Sequence, residues 1–247
     1  MNKFIAAIAV FFTTFYGGPA VAQAIQVPYS NHRTIEVSSS SMSSVERDVR
    51  AAAVRVVTPH GHGSGSVVKY RDMHLVLTAQ HVADGTIGAT YMIQKNSLIV
   101  PAVLIYSDPL HDIAVLWLGE DFSGIKPMDY RPMSRVASVG AQITYSGFPS
   151  FHNLMTYRGS VAGYEFMQDA GQQIMLHTYA YFGSSGSVIY DSRGRIVGIL
   201  WGVDVDGRRG VVVEDMVWVS PIQNLDMRLA LAGLCESLDN KYRACRR

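Results

Sequence analysis

The sequence predicts an all-β protein, a barrel or a sandwich, and three observations carry that expectation. From about residue 54 to about residue 220 the chain falls into about a dozen short apolar or alternating runs. Gly, Pro, Asp and Ser separate these runs, as turns between strands require. Little in that span has the spacing of a helix, and short, regularly interrupted strands build barrels and sandwiches. With 247 residues, 48% of them hydrophobic, the chain can bury a sizeable core in one domain or in two closely packed halves.

Residues 1–24 read as a secretory signal peptide. Lys3 gives the positive start, 4–16 is apolar, and Ala22-Gln23-Ala24 is a cleavage site of the A-x-A type. The apolar run is too short to span a bilayer comfortably, and no other stretch is long and apolar enough to do so. The expected product is secreted or periplasmic, cut after Ala24, with no stable membrane association afterwards. Of 21 basic and 20 acidic residues, cleavage removes only Lys3. The product is then formally neutral, which gives no reason to expect a nucleic-acid or anionic-membrane partner.

Residues 25–45, with the run Ser38-Ser39-Ser40-Ser41, read as a flexible lead, and 45–53 as a short helix. Strands are expected from 54, then at 66–70, 75–78, 91–93, 98–106, 113–118, 142–145, 160–164, 173–178, 187–190, 195–201 and 210–213. No internal repeat is visible. A helix followed by a tail is expected over 220–247, with Ser220 as N-cap, Pro221 at the first helical position and Gln223 completing a capping box. Ile222, Leu225, Leu229 and Ala232 would share its buried face, and Gly233 would end or break it. Cys235 and Cys245 are the only cysteines and could close a small loop in an oxidising compartment.

The chemistry centres on Phe182-Gly183-Ser184-Ser185-Gly186-Ser187, a turn between two apolar runs. Gly183 can take the positive φ that such a turn often needs. A serine there can present its hydroxyl, and neighbouring N–H groups can converge on an oxyanion. Serine needs a base to remove its proton and a carboxylate to orient that base. His81 follows the apolar run 75–77, where a buried strand opens onto a loop. Asp112 directly precedes the strand 113–118, at its mouth. Asp108 is its rival but sits before Pro109 and reads as a turn residue. His111, next to Asp112, would point the opposite way on a strand. His60 and His62 suggest a metal, but no third ligand has a recognisable spacing, so they read as histidines of a Gly-rich loop.

The ordered set T-A-Q-H-V (78–82), D-P-L-H-D-I-A-V-L (108–116) and G-S-S-G-S (183–187) resembles the trypsin-like serine peptidases of the chymotrypsin fold. The bacterial HtrA-like enzymes and the glutamyl endopeptidases are the nearest in flavour. V-G-A-Q-I-T-Y-S-G-F-P (139–149), T-Y-R-G-S-V-A-G (156–163) and R-I-V-G-I-L-W-G (195–202) are similar to that family's second-barrel strands. The resemblance covers roughly 50–225. It implies a peptidase domain over 46–219: two packed six-stranded antiparallel β-barrels, about 50–125 and about 135–219, followed by the C-terminal helix and tail.

The resemblance also implies roles. The triad would be His81, Asp112 and Ser185 in family order, with the N–H groups of Gly183 and Ser185 as oxyanion hole. Protein or peptide substrates would be cut with no cofactor and no metal. Tyr179 to Phe182 and Leu200 to Val203, above all Tyr179, Phe182, Leu200, Trp201 and Gly202, would wall the specificity pocket. Those walls hold no His, Lys or Arg, so uncharged aliphatic or small side chains are expected there. Asp204, just beyond, would favour Lys or Arg if it turned inward. Leu200 stands where glutamyl endopeptidases carry a His. Ser184 stands where digestive trypsins have an Asp that pairs with a newly cut N-terminus, so that activation device is not expected. Ser187-Val188 departs from the family's Gly-Pro or Ser-Pro, and no PDZ domain is expected. The rival reading is a degenerate copy of the fold acting as a protein-binding module, against which all three triad types are present.

Overall fold

The structure is a computed structural model and describes residues 41–119, 125–150 and 152–237. The signal peptide with its cleavage site, the lead as far as residue 40, the tail from 238 and Cys245 lie outside the described residues.

Helix α1 (Ser44–Ala52) comes first, one residue earlier than its expected start. Six strands follow: β1 (Ala53–Thr58), β2 (Gly61–Tyr70), β3 (Met73–Thr78), β4 (Thr90–Lys95), β5 (Leu98–Asp108) and β6 (Ile113–Leu118). They run β1-β4-β5-β6-β3-β2, and the pairing of β1 with β2 closes them into a barrel. A two-residue strand not expected from the sequence, β7 (Met128–Asp129), adds to β2 in parallel. The second barrel is β8 (Gln142–Gly147), β9 (Met155–Met167), β10 (Gly171–His177), β11 (Val188–Asp191), β12 (Ile196–Asp206) and β13 (Val211–Pro221), closed in the order β10-β13-β12-β11-β8-β9. The expected all-β architecture of two six-stranded barrels is the observed one.

Alternation explains how the barrels meet. Ile189, Val197 and Leu200 point into the second barrel's core. Their neighbours Val188, Tyr190, Ile196 and Ile199 belong instead to the apolar cluster of the first barrel. The period of two thus gives β11 and β12 two buried faces. A buried hydrogen bond of 2.9 Å between Ser66 Oγ and Tyr190 Oη crosses the same interface.

The C-terminal helix needs correction. Ser220 and Pro221 end β13, in register with Ile199 and Gly198. A 3-10 turn (Ile222–Asn224) intervenes, and helix α2 (Met227–Ser237) starts only afterwards. Its first turn is capped by Asp226, whose Oδ1 accepts the N–H groups of Arg228 at 2.8 Å and Leu229 at 3.4 Å. Leu229 and Ala232 are exposed, and Met227, Ala230 and Leu234 are the buried face, packed on the first barrel. Gly233 neither ends nor breaks the helix. It lets α2 press on β5, since a Cβ there would stand 2.0 Å from the Ile105 carbonyl oxygen. Cys235 is disulfide-bonded.

Candidate active site

Beyond β3 the chain turns tightly, the N–H groups of Val82 and Ala83 both reaching the Ala79 carbonyl at 3.3 Å. His81 sits on that turn. Its backbone N–H donates to Asp112 Oδ1 at 2.8 Å, and its Nδ1 meets Asp112 Oδ2 at 2.6 Å. One carboxylate therefore fixes both the backbone and the ring of His81. With the Nδ1 proton given to Asp112, Nε2 keeps its lone pair and can act as a base.

Asp112 reaches this position with φ 54°, a left-handed conformation that strains a non-glycine residue. Asp108 holds the loop there. Its Oδ1 accepts the N–H groups of Leu110 at 3.0 Å and His111 at 3.2 Å, and its Oδ2 meets His111 Nδ1 at 2.7 Å. Asp108 is thus a turn residue, and His111 is its partner. His60 lies in the turn between β1 and β2, and the ring Nε2 of His62 faces the Phe148 carbonyl at 2.9 Å.

The serine turn is built on two glycines of positive φ, Gly183 at 90° and Gly186 at 88°. Gly186 has no room for a side chain, because a Cβ would fall 2.1 Å from the Ser64 carbonyl oxygen and 2.3 Å from Thr78 Oγ1. Ser184 and Ser187 are completely buried, whereas Ser185 is half-buried. Of the three serines, Ser185 is the one that is open to solvent.

Ser64, on β2, locks the two barrels' contributions together. Its N–H donates to Ser185 O at 2.7 Å, and its hydroxyl donates to Gly183 O at 2.7 Å while accepting Phe148 N–H at 2.9 Å. Its own carbonyl accepts the Thr78 hydroxyl at 2.8 Å, at the end of the strand that leads to His81. Gly63 completes the approach, since a Cβ there would meet Val82 Cγ1 at 2.5 Å and Ser185 O at 3.0 Å. The sequence reading missed Ser64 as a site residue. Its signal was the alternating Gly61, Gly63 and Gly65, which marks a strand pressed closely by other backbone.

The Phe182 carbonyl accepts the Ser150 N–H. Because the peptide is planar and trans, the Gly183 N–H then points the opposite way. Among the described residues, the N–H groups of Gly183 and Ser185 donate to no acceptor. Two unpaired donors beside an accessible serine can stabilise an oxyanion.

The expected pocket residues do not share one environment. Tyr179 and Phe182 are exposed, and the Tyr179 ring lies 5.5 Å from that of Tyr157. Trp201 stacks on Trp218 at 6.0 Å and donates Nε1–H to Gln173 Oε1 at 3.1 Å. The Leu200 side chain is buried in the second barrel's core, and it meets the serine turn through its backbone. Leu200 O accepts Gly186 N–H at 2.7 Å, and Leu200 N–H donates to Ser187 O at 2.9 Å. Gly202 pairs with Trp218 in the ladder, and Asp204 with Val213. An acidic neighbour not foreseen is Glu214, whose backbone oxygen accepts Ala180 N–H at 2.8 Å. Burial first, and then the Glu214 carboxylate, raise the Tyr179 phenol above its ordinary pKa.

The family model described as "Trypsin-like peptidase domain" matches residues 63–199. Over 156 residues the chain is 28% identical to non-structural polyprotein 1A of Turkey astrovirus 2, which covers 62% of this chain but only 13% of that polyprotein. The match to polyprotein 1AB of the same virus has the same identity and covers 9% of its length. Among solved structures, the Rv3671c protease in its inactive form aligns with TM-score 0.59 and 17% identity, over 78% of this chain and 91% of that one. The serine endoprotease from Yersinia pestis aligns with TM-score 0.57 and 19% identity, over 79% and 66%. At such identities the two structures speak for the fold.

Proposed function

The chain belongs to the trypsin-like peptidase domain family, and on that premise we propose that it is a secreted serine endopeptidase acting through Ser185, His81 and Asp112. The observation that carries this reading is the double grip of Asp112 on His81, at 2.8 Å and 2.6 Å, in the same fold as an accessible Ser185.

In the proposed reaction His81 Nε2 takes the Ser185 proton as Oγ bonds to the scissile carbonyl carbon. The carbonyl electron pair moves to oxygen, which the Gly183 and Ser185 N–H groups receive. Asp112 stabilises the imidazolium. His81 then gives the proton to the leaving nitrogen, the C–N bond breaks, and an acyl-enzyme remains. Water repeats the sequence, with His81 again as base, and releases the acid. The substrates are proteins or peptides. The protein is secreted or periplasmic after cleavage behind Ala24, and N-terminal sequencing of the exported protein checks that site.

The test of activity is cleavage of a peptide library by the protein, with Ser185→Ala as control. Cleavage should fall by several powers of ten in the variant. No cleavage by the unaltered chain, or equal cleavage by both, would overturn the reading. Matched peptides ending in Val, Leu, Phe, Glu and Lys then test specificity. We expect Val, Leu or Phe to lead, because a charge buried without a partner costs more than the ~1–3 kcal/mol that separates similar apolar groups. A Glu preference would refute the pocket assignment, and a Lys preference would place Asp204 or Glu214 within it.

A further inference from the structure

We propose that Ser64 is the positioning residue of the oxyanion hole, its one hydroxyl fixing both peptide planes that flank Gly183. The inference deepens the reading of Ser185 as nucleophile and rests on it. Ser64 stands on β2, in the first barrel, and is completely buried. Gly183 and Phe148, the two residues that its hydroxyl holds, both belong to segments of the second barrel.

The proton directions follow from counting. A hydroxyl has one proton, and Gly183 O can only accept, so Ser64 Oγ–H donates to it, at 2.7 Å. The Phe148 N–H can only donate, so the Ser64 oxygen accepts it, at 2.9 Å. One side chain thus takes hold of two loops at once.

Each bond governs one plane. Gly183 O belongs to the peptide between Gly183 and Ser184, and the hydroxyl holds that plane directly. The other plane, between Phe182 and Gly183, carries the Gly183 N–H, one of the two oxyanion donors. Its oxygen accepts the Ser150 N–H, and only Pro149 separates Ser150 from Phe148. Pro149 fixes its own φ and restricts Phe148 before it, so 148–150 is a stiff bridge. The Phe148 carbonyl is held too, facing His62 Nε2 at 2.9 Å. Ser150 ends the bridge at φ 51°, a left-handed conformation that a non-glycine residue keeps only where its surroundings impose it. Ser64 therefore anchors the bridge at Phe148, and the bridge anchors the second plane. Anchoring is needed because Gly183, at φ 90°, has no side chain to resist rotation. A turn of the peptide between Phe182 and Gly183 would withdraw one oxyanion donor. Ser64 also steadies the residue that carries the other donor, since its N–H binds Ser185 O at 2.7 Å. It touches no reacting atom.

The test compares Ser64→Ala with the control Ser66→Ala. Ser66 lies on the same strand, and its buried hydroxyl also bonds across the barrels, at 2.9 Å, but to Tyr190 Oη of β11 rather than to the serine turn. Both variants should lower Tm, because each leaves a buried polar group unpaired. Only Ser64→Ala should lower kcat, on the order of 10²-fold, as a misplaced oxyanion donor does, with KM nearly unchanged. Its pH profile should keep its shape, since His81 and Asp112 are untouched. Amide hydrogen exchange should quicken at 148–150 and 182–186 in Ser64→Ala and at neither in Ser66→Ala. In the unaltered protein the Phe148 and Ser150 N–H groups should exchange slowly, although they lie in a loop. An unchanged kcat in Ser64→Ala would overturn the proposal, and so would an equal fall in Ser66→Ala. Fast exchange of the Phe148 N–H in the unaltered protein would do the same without any variant having to fold. If the unaltered chain cleaves nothing, the peptidase reading falls, while the exchange profile still decides the anchoring.

Discussion

Ser187 is completely buried, and its hydroxyl has no hydrogen-bond partner among the described residues. The space it occupies exists because Gly147 has no side chain, where a Cβ would lie 2.3 Å from Ser187 Oγ. A buried, unpaired hydroxyl has lost its water without compensation. Ser187→Ala should therefore leave Tm unchanged or raise it, by about 2–4 °C for each kcal/mol gained. A fall in Tm on thermal unfolding would mean that the hydroxyl has a stabilising partner. At this scale the sequence was informative about kinds of residue but not about contacts. His81, Asp112 and Ser185 stand out by motif, whereas each bond that Ser64 makes with Gly183, Ser185, Phe148 and Thr78 has a backbone atom on at least one side, and backbone atoms carry no residue-type signal.

The two helices act as straps, each crossing to the barrel that is not its neighbour in sequence. Helix α1 packs Val49 and Ala52 into the apolar cluster of the first barrel, which it precedes, and is tied to the second barrel as well. Ser43 and Glu46 form a capping box, with Ser43 Oγ accepting Glu46 N–H at 3.2 Å and Ser43 N–H donating to Glu46 Oε2 at 2.6 Å. Glu46 also accepts the Arg158 guanidinium of β9 at both oxygens. Arg158, first, and then the Ser43 hydrogen bonds outweigh burial and hold the Glu46 pKa down at about 2, from 4.5. A carboxyl whose folded pKa lies below its unfolded one stabilises the fold above the unfolded value. That contribution is lost as pH falls through the folded value. Unfolding followed between pH 5 and about 2 should show stability dropping, and Glu46→Gln should flatten that part of the profile. An identical slope in both proteins would contradict the strap.

Helix α2 follows the second barrel but packs on the first. Gly233→Ala should push it off Ile105 and lower Tm, and an unchanged Tm would show that the helix can shift at no cost. Its start was misread for a physical reason. Ser220-Pro221-Ile222-Gln223 satisfies the local capping pattern, yet pairing of Ser220 and Pro221 with β12 prevails over local preference.

At the scale of the molecule, the barrels were legible because the apolar runs of the sequence are short and bounded by turn residues. What the runs could not convey is which strands close on which, since closure joins β1 to β2 and β9 to β10 while leaving no trace in the alternation. The bundling of both barrels by a shared apolar face was hidden too, because Val188, Tyr190, Ile196 and Ile199 read only as strand residues. Family resemblance supplied the arrangement that periodicity left open. Within that arrangement the central claim concerns a single oxygen atom, Ser185 Oγ. Treating the protein with a phosphonofluoridate and locating the adduct by mass spectrometry tests it most directly. The account predicts one adduct, on Ser185, and an adduct on Ser184 or Ser187, or none at all, would contradict it.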